Sequence, residues 1–116
     1  MRKNIITLFL VIFFLILPTQ TFSHPANKVT LLVEGKVLQV TIEHNVADPE
    51  NHYIKEILVF LNDQEIIRQI FLMQTDNMQK ASYTIPSLKL GDKITVKTNC
   101  IRGGNRSGTI TVEPSP

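Results

Sequence analysis

The chain has one cysteine and no tryptophan, and each scarcity closes off a class of protein. A lone Cys100 excludes an internal disulfide framework, the usual staple of small exported domains, and it excludes CxxC redox chemistry. Without tryptophan the Cys…Trp…Cys core of antibody-type domains cannot form. After residue 23 no segment sustains helical periodicity, so nothing supplies the crossover helices a parallel sheet requires. There is no glycine-rich phosphate loop and no Ser-His-Asp order, and there are no internal repeats.

Charge of one sign is also missing. The chain carries 12 Lys and Arg against 10 Asp and Glu, but Arg2 and Lys3 fall in the first 23 residues, leaving 10 against 10 beyond them. A neutral surface without basic clusters offers no electrostatic footprint for nucleic acid and little for anionic membrane.

Those first residues read as an export signal. Arg2 and Lys3 precede an apolar run over 5–17 interrupted only by Thr7, and "PTQTFS" then supplies a helix breaker with small residues at Thr21 and Ser23. The run is short for a membrane span, which needs about 20 apolar residues. Cleavage after Ser23 is expected, giving a periplasmic or secreted protein with no stable membrane insertion and a single domain over 24–116.

Short β-branched runs separated by turn residues fill that domain. The pattern predicts strands over 28–34, 36–43, 53–61, 65–73, 80–85, 92–100 and 106–113. The fold class is therefore all-β, a seven-stranded immunoglobulin-like antiparallel β-sandwich.

Three histidines and the cysteine are the only imidazoles and thiol present. If consecutive strands alternate direction, His24 before the first strand, His44 after the second, His52 before the third and Cys100 at the end of the sixth share one pole. Imidazoles with one thiolate suit iron, copper, zinc or nickel rather than calcium or magnesium. Read singly, a strand-end histidine is a solvated residue and a lone cysteine a small buried hydrophobe. Met73 and Met78, soft donors for copper, are placed at the opposite pole in core or surface roles. Asp48 and Glu50 read as turn charges, Lys55 as an outward strand residue, and Gly103, Gly104 and Gly108 as serving the last hairpin.

The spacing of "HPANKV" from His24, His44 twenty residues on, "NHYIKEI" with His52-Tyr53-Ile54, and "VKTNCIRGG" with Cys100 resembles the iron domain of superoxide reductases, the desulfoferrodoxin family. The resemblance spans roughly residues 24–112. It implies an immunoglobulin-like sandwich and a mononuclear non-haem iron held by His24, His44, His52 and the Cys100 thiolate. It further implies one-electron reduction of superoxide, with an unidentified electron donor as partner. Three features depart from the family pattern. Gly103 stands where the family has a further histidine after the cysteine, Phe22 and Ser23 stand in place of Glu-Lys, and the 44–52 segment is two residues longer. Cleavage before His24 would let its α-amine join its own ring as a chelate, favouring copper as the alternative metal. Two other readings stand beside a reductase: a non-catalytic copper or iron carrier or sensor, and a metal-free interaction module.

Overall fold

The computed structural model describes residues 24–114. The expected export signal over 1–23, including Phe22 and Ser23, lies outside the described residues. Seven strands follow in order: β1 (Lys28–Glu34), β2 (Val37–Glu43), β3 (Ile54–Leu61), β4 (Gln64–Ile70), β5 (Met78–Thr84), β6 (Lys93–Cys100) and β7 (Asn105–Thr111). No helix occurs among the described residues. The strands form two antiparallel sheets, β1-β2-β5 and β4-β3-β6-β7, so the all-β sandwich expected from the sequence is what the chain adopts.

The fourth strand joins the sheet of β3 instead of the β1-β2-β5 sheet, unlike the constant-type immunoglobulin arrangement. The turn explains this. Asn62 and Asp63 both have positive φ, 49° and 69°, the conformation of a tight two-residue hairpin whose twist matches its strands. Strand β4 also stops at Ile70, three residues short of the sequence expectation. Beyond it the chain leaves the ladder, and the Gln74 amide donates to the Pro49 carbonyl at 3.1 Å.

Period-two patterning builds the core. Leu38, Val40 and Ile42 of β2 face Ile54, Ile57 and Val59 of β3 and Ile94 and Val96 of β6, all at most 1% exposed. Burying each such side chain contributes about 1.5–3 kcal/mol. A register shift between Ile54 and Glu56 lets Ile54 and Ile57, three residues apart, both point inward.

One expectation about glycine needs correction. Gly103 and Gly104, at φ 93° and 86°, do shape the β6–β7 turn, but Gly108 lies within β7. A Cβ there would sit 3.3 Å from Val29 Cγ1 and 3.4 Å from the Val29 carbonyl oxygen. The missing side chain lets β7 approach β1 across the gap between the sheets.

Candidate metal centre

The inward stripes of β2 and β3 continue past the strand ends to His44 and His52, and that of β6 ends on Cys100. His44 is the next inward position after Leu38, Val40 and Ile42. His52 precedes Ile54 by two residues and so lies on the inward side of β3. Cys100 follows Ile94, Val96 and Thr98 on β6. A histidine at these positions is carried to the top of the core, and burial is imposed on it by the apolar pattern below.

The three imidazoles converge. One ring nitrogen from each of His24, His44 and His52 lies within 4.8 Å of the other two. Ring centroids are 5.2 Å apart for His24–His44, 4.5 Å for His24–His52 and 4.8 Å for His44–His52, with the last two pairs edge-on. His44 is fully buried, His52 is 7% exposed, and His24 is exposed, so the cluster is closed below and open on the His24 side.

His44 is held by a glutamine that the sequence did not single out. Its Nδ1 donates to Gln74 Oε1 at 2.9 Å, which turns the Nε2 lone pair toward His24 Nδ1 at 3.2 Å and the His24 carbonyl oxygen at 3.1 Å. Two lone pairs facing each other, on nitrogen and carbonyl oxygen, are relieved by a cation or by a second proton on the ring. His52 makes the same point more directly. Its Nε2 is buried and has no hydrogen-bond partner. Desolvation lowers the His52 pKa below its usual 6.5, and positive charge on His44, His24 and Arg102 lowers it further. A neutral, desolvated imidazole with a free nitrogen beside two others is a donor set suited to a borderline divalent metal. The residues therefore fit a mononuclear metal.

Cys100 shares the pole but stands apart from the triad. It pairs with Ile54, and the next amide, Ile101, donates to the Tyr53 carbonyl at 3.0 Å. Its thiol is buried in the hydrophobic core and accepts from the Arg102 amide at 3.5 Å. It is not in the group of mutually close donor atoms. The hairpin beyond it reaches the site through Gly103, whose carbonyl accepts from the His24 amide at 3.2 Å.

Asp48 and Lys55 behave as turn and surface residues. The Asp48 carbonyl accepts from the His52 amide at 2.8 Å and its carboxylate from Asn51 Nδ2 at 2.7 Å, which lowers its pKa. It shapes the turn that delivers His52. Met73 and Met78 are surface-exposed, but the pole assigned to them is corrected. The His44 amide donates to the Asn77 carbonyl at 2.9 Å and Met78 pairs with Glu43, so the β4–β5 connection lies at the histidine pole. Two alternations from His52, out along β3 and back along β4, put the end of β4 there. The same count would have brought Gln74 to attention.

No protein-family model matches the sequence, and no curated protein matches it. Solved structures do. A hypothetical protein from Pyrococcus horikoshii OT3 is similar at a TM-score of 0.52 and 14% identity, covering 83% of this chain and 95% of its own, and it supports the fold. The superoxide reductase of Nanoarchaeum equitans has a TM-score of 0.49 at 16% identity, covering 81% of this chain and 97% of its own. A single-residue variant of the Ignicoccus hospitalis superoxide reductase (neelaredoxin) has a TM-score of 0.49 at 14% identity, covering 76% of this chain and 82% of its own.

Proposed function

We propose that this chain is an exported, single-domain mononuclear metal protein that reduces superoxide by one electron. In this reading iron is held by His24, His44, His52 and the thiolate of Cys100. The observation that carries it is the buried, unpartnered His52 Nε2 set against two further imidazoles, since burying a nitrogen without a partner costs free energy that a bound cation would recover. The choice of iron and of superoxide comes from the motif resemblance around His24, His44, His52-Tyr53-Ile54 and Cys100.

When bound, iron would supply the electron, passing from Fe(II) to Fe(III) as superoxide takes up one electron and two protons to give hydrogen peroxide, with an unidentified donor restoring Fe(II). The chain's own residues would do the rest. His44 and His52 would hold the buried side, and exposed His24 would leave the outer side accessible to a small anion. Arg102 is exposed and acts electrostatically on His52, so it would place positive charge where that anion approaches. Cys100 would enter as a soft anionic donor.

The second reading is a copper carrier or sensor without turnover, and one feature favours it. His24 turns Nδ1, not Nε2, toward His44. Nδ1 is the ring atom that can close a chelate with the α-amine of the same residue, should export cleavage expose it.

The deciding experiment combines N-terminal sequencing of the exported protein, metal analysis, the visible spectrum and pulse-radiolytic delivery of superoxide to the reduced protein. The expected result is one iron per chain, a ferric-thiolate charge-transfer band and stoichiometric peroxide. Copper with an N-terminus at His24, and chelation lost on adding one residue before it, would support the carrier. A protein that takes up neither metal would overturn both readings.

A further inference from the structure

Gln74 is 1% exposed, although it sits on a connection whose neighbours Leu72 and Met73 are 82% and 51% exposed. A buried primary amide needs all its polar atoms satisfied, and this one has them. Nε2 donates to the carbonyl oxygens of His44 at 2.7 Å and Asp76 at 2.6 Å. Oε1 accepts from His44 Nδ1 at 2.9 Å and from the Ile54 amide at 3.3 Å. Because the nitrogen faces two carbonyls, the amide cannot be reversed. The ring proton of neutral His44 is thereby assigned to Nδ1.

We propose that Gln74 is the positioning residue of the metal site, an inference that rests on the metal-binding reading above. It fixes His44 as the Nδ1–H tautomer, which leaves Nε2 as the ligating atom. It also ties together the segment that carries both buried ligands. Its side chain grips His44 at one end and the Ile54 amide, two residues beyond His52, at the other, while its own amide donates to Pro49 between them. A 44–52 segment lengthened by two residues would otherwise have more freedom in where it delivers His52. A polar partner that orients a ligating imidazole is worth about 10–100-fold in metal affinity.

The test uses the purified protein with two substitutions, Gln74→Glu, which keeps an acceptor at Oε1, and Gln74→Met, of similar length with no comparable acceptor or donor. Two-dimensional NMR of the 15N-labelled, metal-free protein reads the tautomer of each ring. Titration with Co(II) alone, followed by its visible bands, reads affinity. The parent should show His44 as Nδ1–H and bind Co(II), and Gln74→Glu, which keeps the acceptor for His44 while losing the donor to the His44 and Asp76 carbonyls, should keep the Nδ1–H tautomer. Gln74→Met should lose the single tautomer and bind roughly 10–100-fold more weakly. A folded Gln74→Met that keeps the Nδ1–H tautomer, or binds Co(II) like a binding-competent parent, would overturn the inference while sparing the metal site. If Gln74→Met does not fold, a folded Gln74→Glu without the Nδ1–H tautomer would overturn it too. A parent that binds no metal at any concentration sinks the metal reading itself, whatever the tautomer.

Discussion

Replacing His52 with leucine should make the metal-free protein more stable and the metal-supplied protein less so. His52 is 7% exposed, and its Nε2 is buried without a partner. An unsatisfied buried donor or acceptor costs about 1–3 kcal/mol, and leucine fills a similar volume without that cost. In chelator at pH 7.5, His52→Leu should therefore gain about 1–2 kcal/mol, a rise in Tm of about 4–8 °C for each kcal/mol in a domain of this size. The acid limb supplies an independent reading. The folded His52 pKa is lowered below 6.5 while the unfolded value is not, so below pH 6.5 the unfolded state binds more protons. Stability present above 6.5 is thus lost as pH falls through the lowered folded value, and His52→Leu should flatten that loss. Metal reverses the order. At a hundredfold excess over Kd, binding stabilises the parent by about 2.7 kcal/mol, and the variant should gain little of this. Urea denaturation in chelator and in Fe(II), at several pH values, measures all three effects. A variant less stable than the parent in chelator at pH 7.5 would refute the reasoning, because it would mean that the His52 nitrogen is satisfied.

Cys100→Ser should remove any thiolate-to-metal band in the visible spectrum, and burying a hydroxyl in place of the thiol should lower apo stability by about 1–3 kcal/mol in urea denaturation. Gly108→Val should force β7 away from Val29 and cost about 1–3 kcal/mol by the same assay. Asp92 accepts from Lys89 Nζ, Asn62 Nδ2 and the Lys89 amide, which hold its pKa at about 2 against an ordinary 3.8. Its contribution should be complete above 3.8 and vanish as pH falls from 3.8 through about 2, so Asp92→Ala should erase that part of the acid unfolding curve. At the other extreme, burial pushes Tyr83 up to about 12 from 10, so stability should fall as pH rises from 10 toward 12, and Tyr83→Phe should blunt this in alkaline titrations.

Much of the architecture was legible because a β-sandwich writes itself with a period of two. The β-branched run over 28–34 coincides with β1 residue for residue, and the alternation of Ile94, Val96 and Thr98 carries on to Cys100. The same alternation brought the three histidines to one pole, where they meet. What was not legible has physical causes. A polar residue in "QTDNMQ" has no signal that separates a solvated glutamine from one folded back under a histidine, so Gln74 stayed invisible. Apolar Phe71 and Leu72 extend the strand pattern beyond the true end of β4, yet Leu72 is 82% exposed and the backbone turns there toward Pro49. Gly108 looks like a turn glycine in the sequence, since a close approach between strands far apart in sequence leaves no local trace.

The rim of a sandwich is where such a pattern changes its role. Within the strands, each inward position is filled by an aliphatic side chain whose burial stabilises the fold. One step beyond β2, and one inward position before β3, the same geometry still drives a side chain inward, but the opposite sheet no longer closes over it completely. His52 is desolvated there, which lowers its pKa and favours the neutral ring, yet it lies near enough to the surface to meet a ligand arriving from water. Two such positions at the ends of the β2–β3 connection, with exposed His24 brought over by the Gly103 contact, make a site whose buried side is fixed by the core and whose open side is the exposed His24. The cost is local and specific: one orphaned nitrogen on His52 and one fully bonded glutamine under His44. An interaction module would have no use for either, since an apolar pair at 44 and 52 would cap the core more stably. That imbalance is the strongest physical argument that the histidines are there to bind.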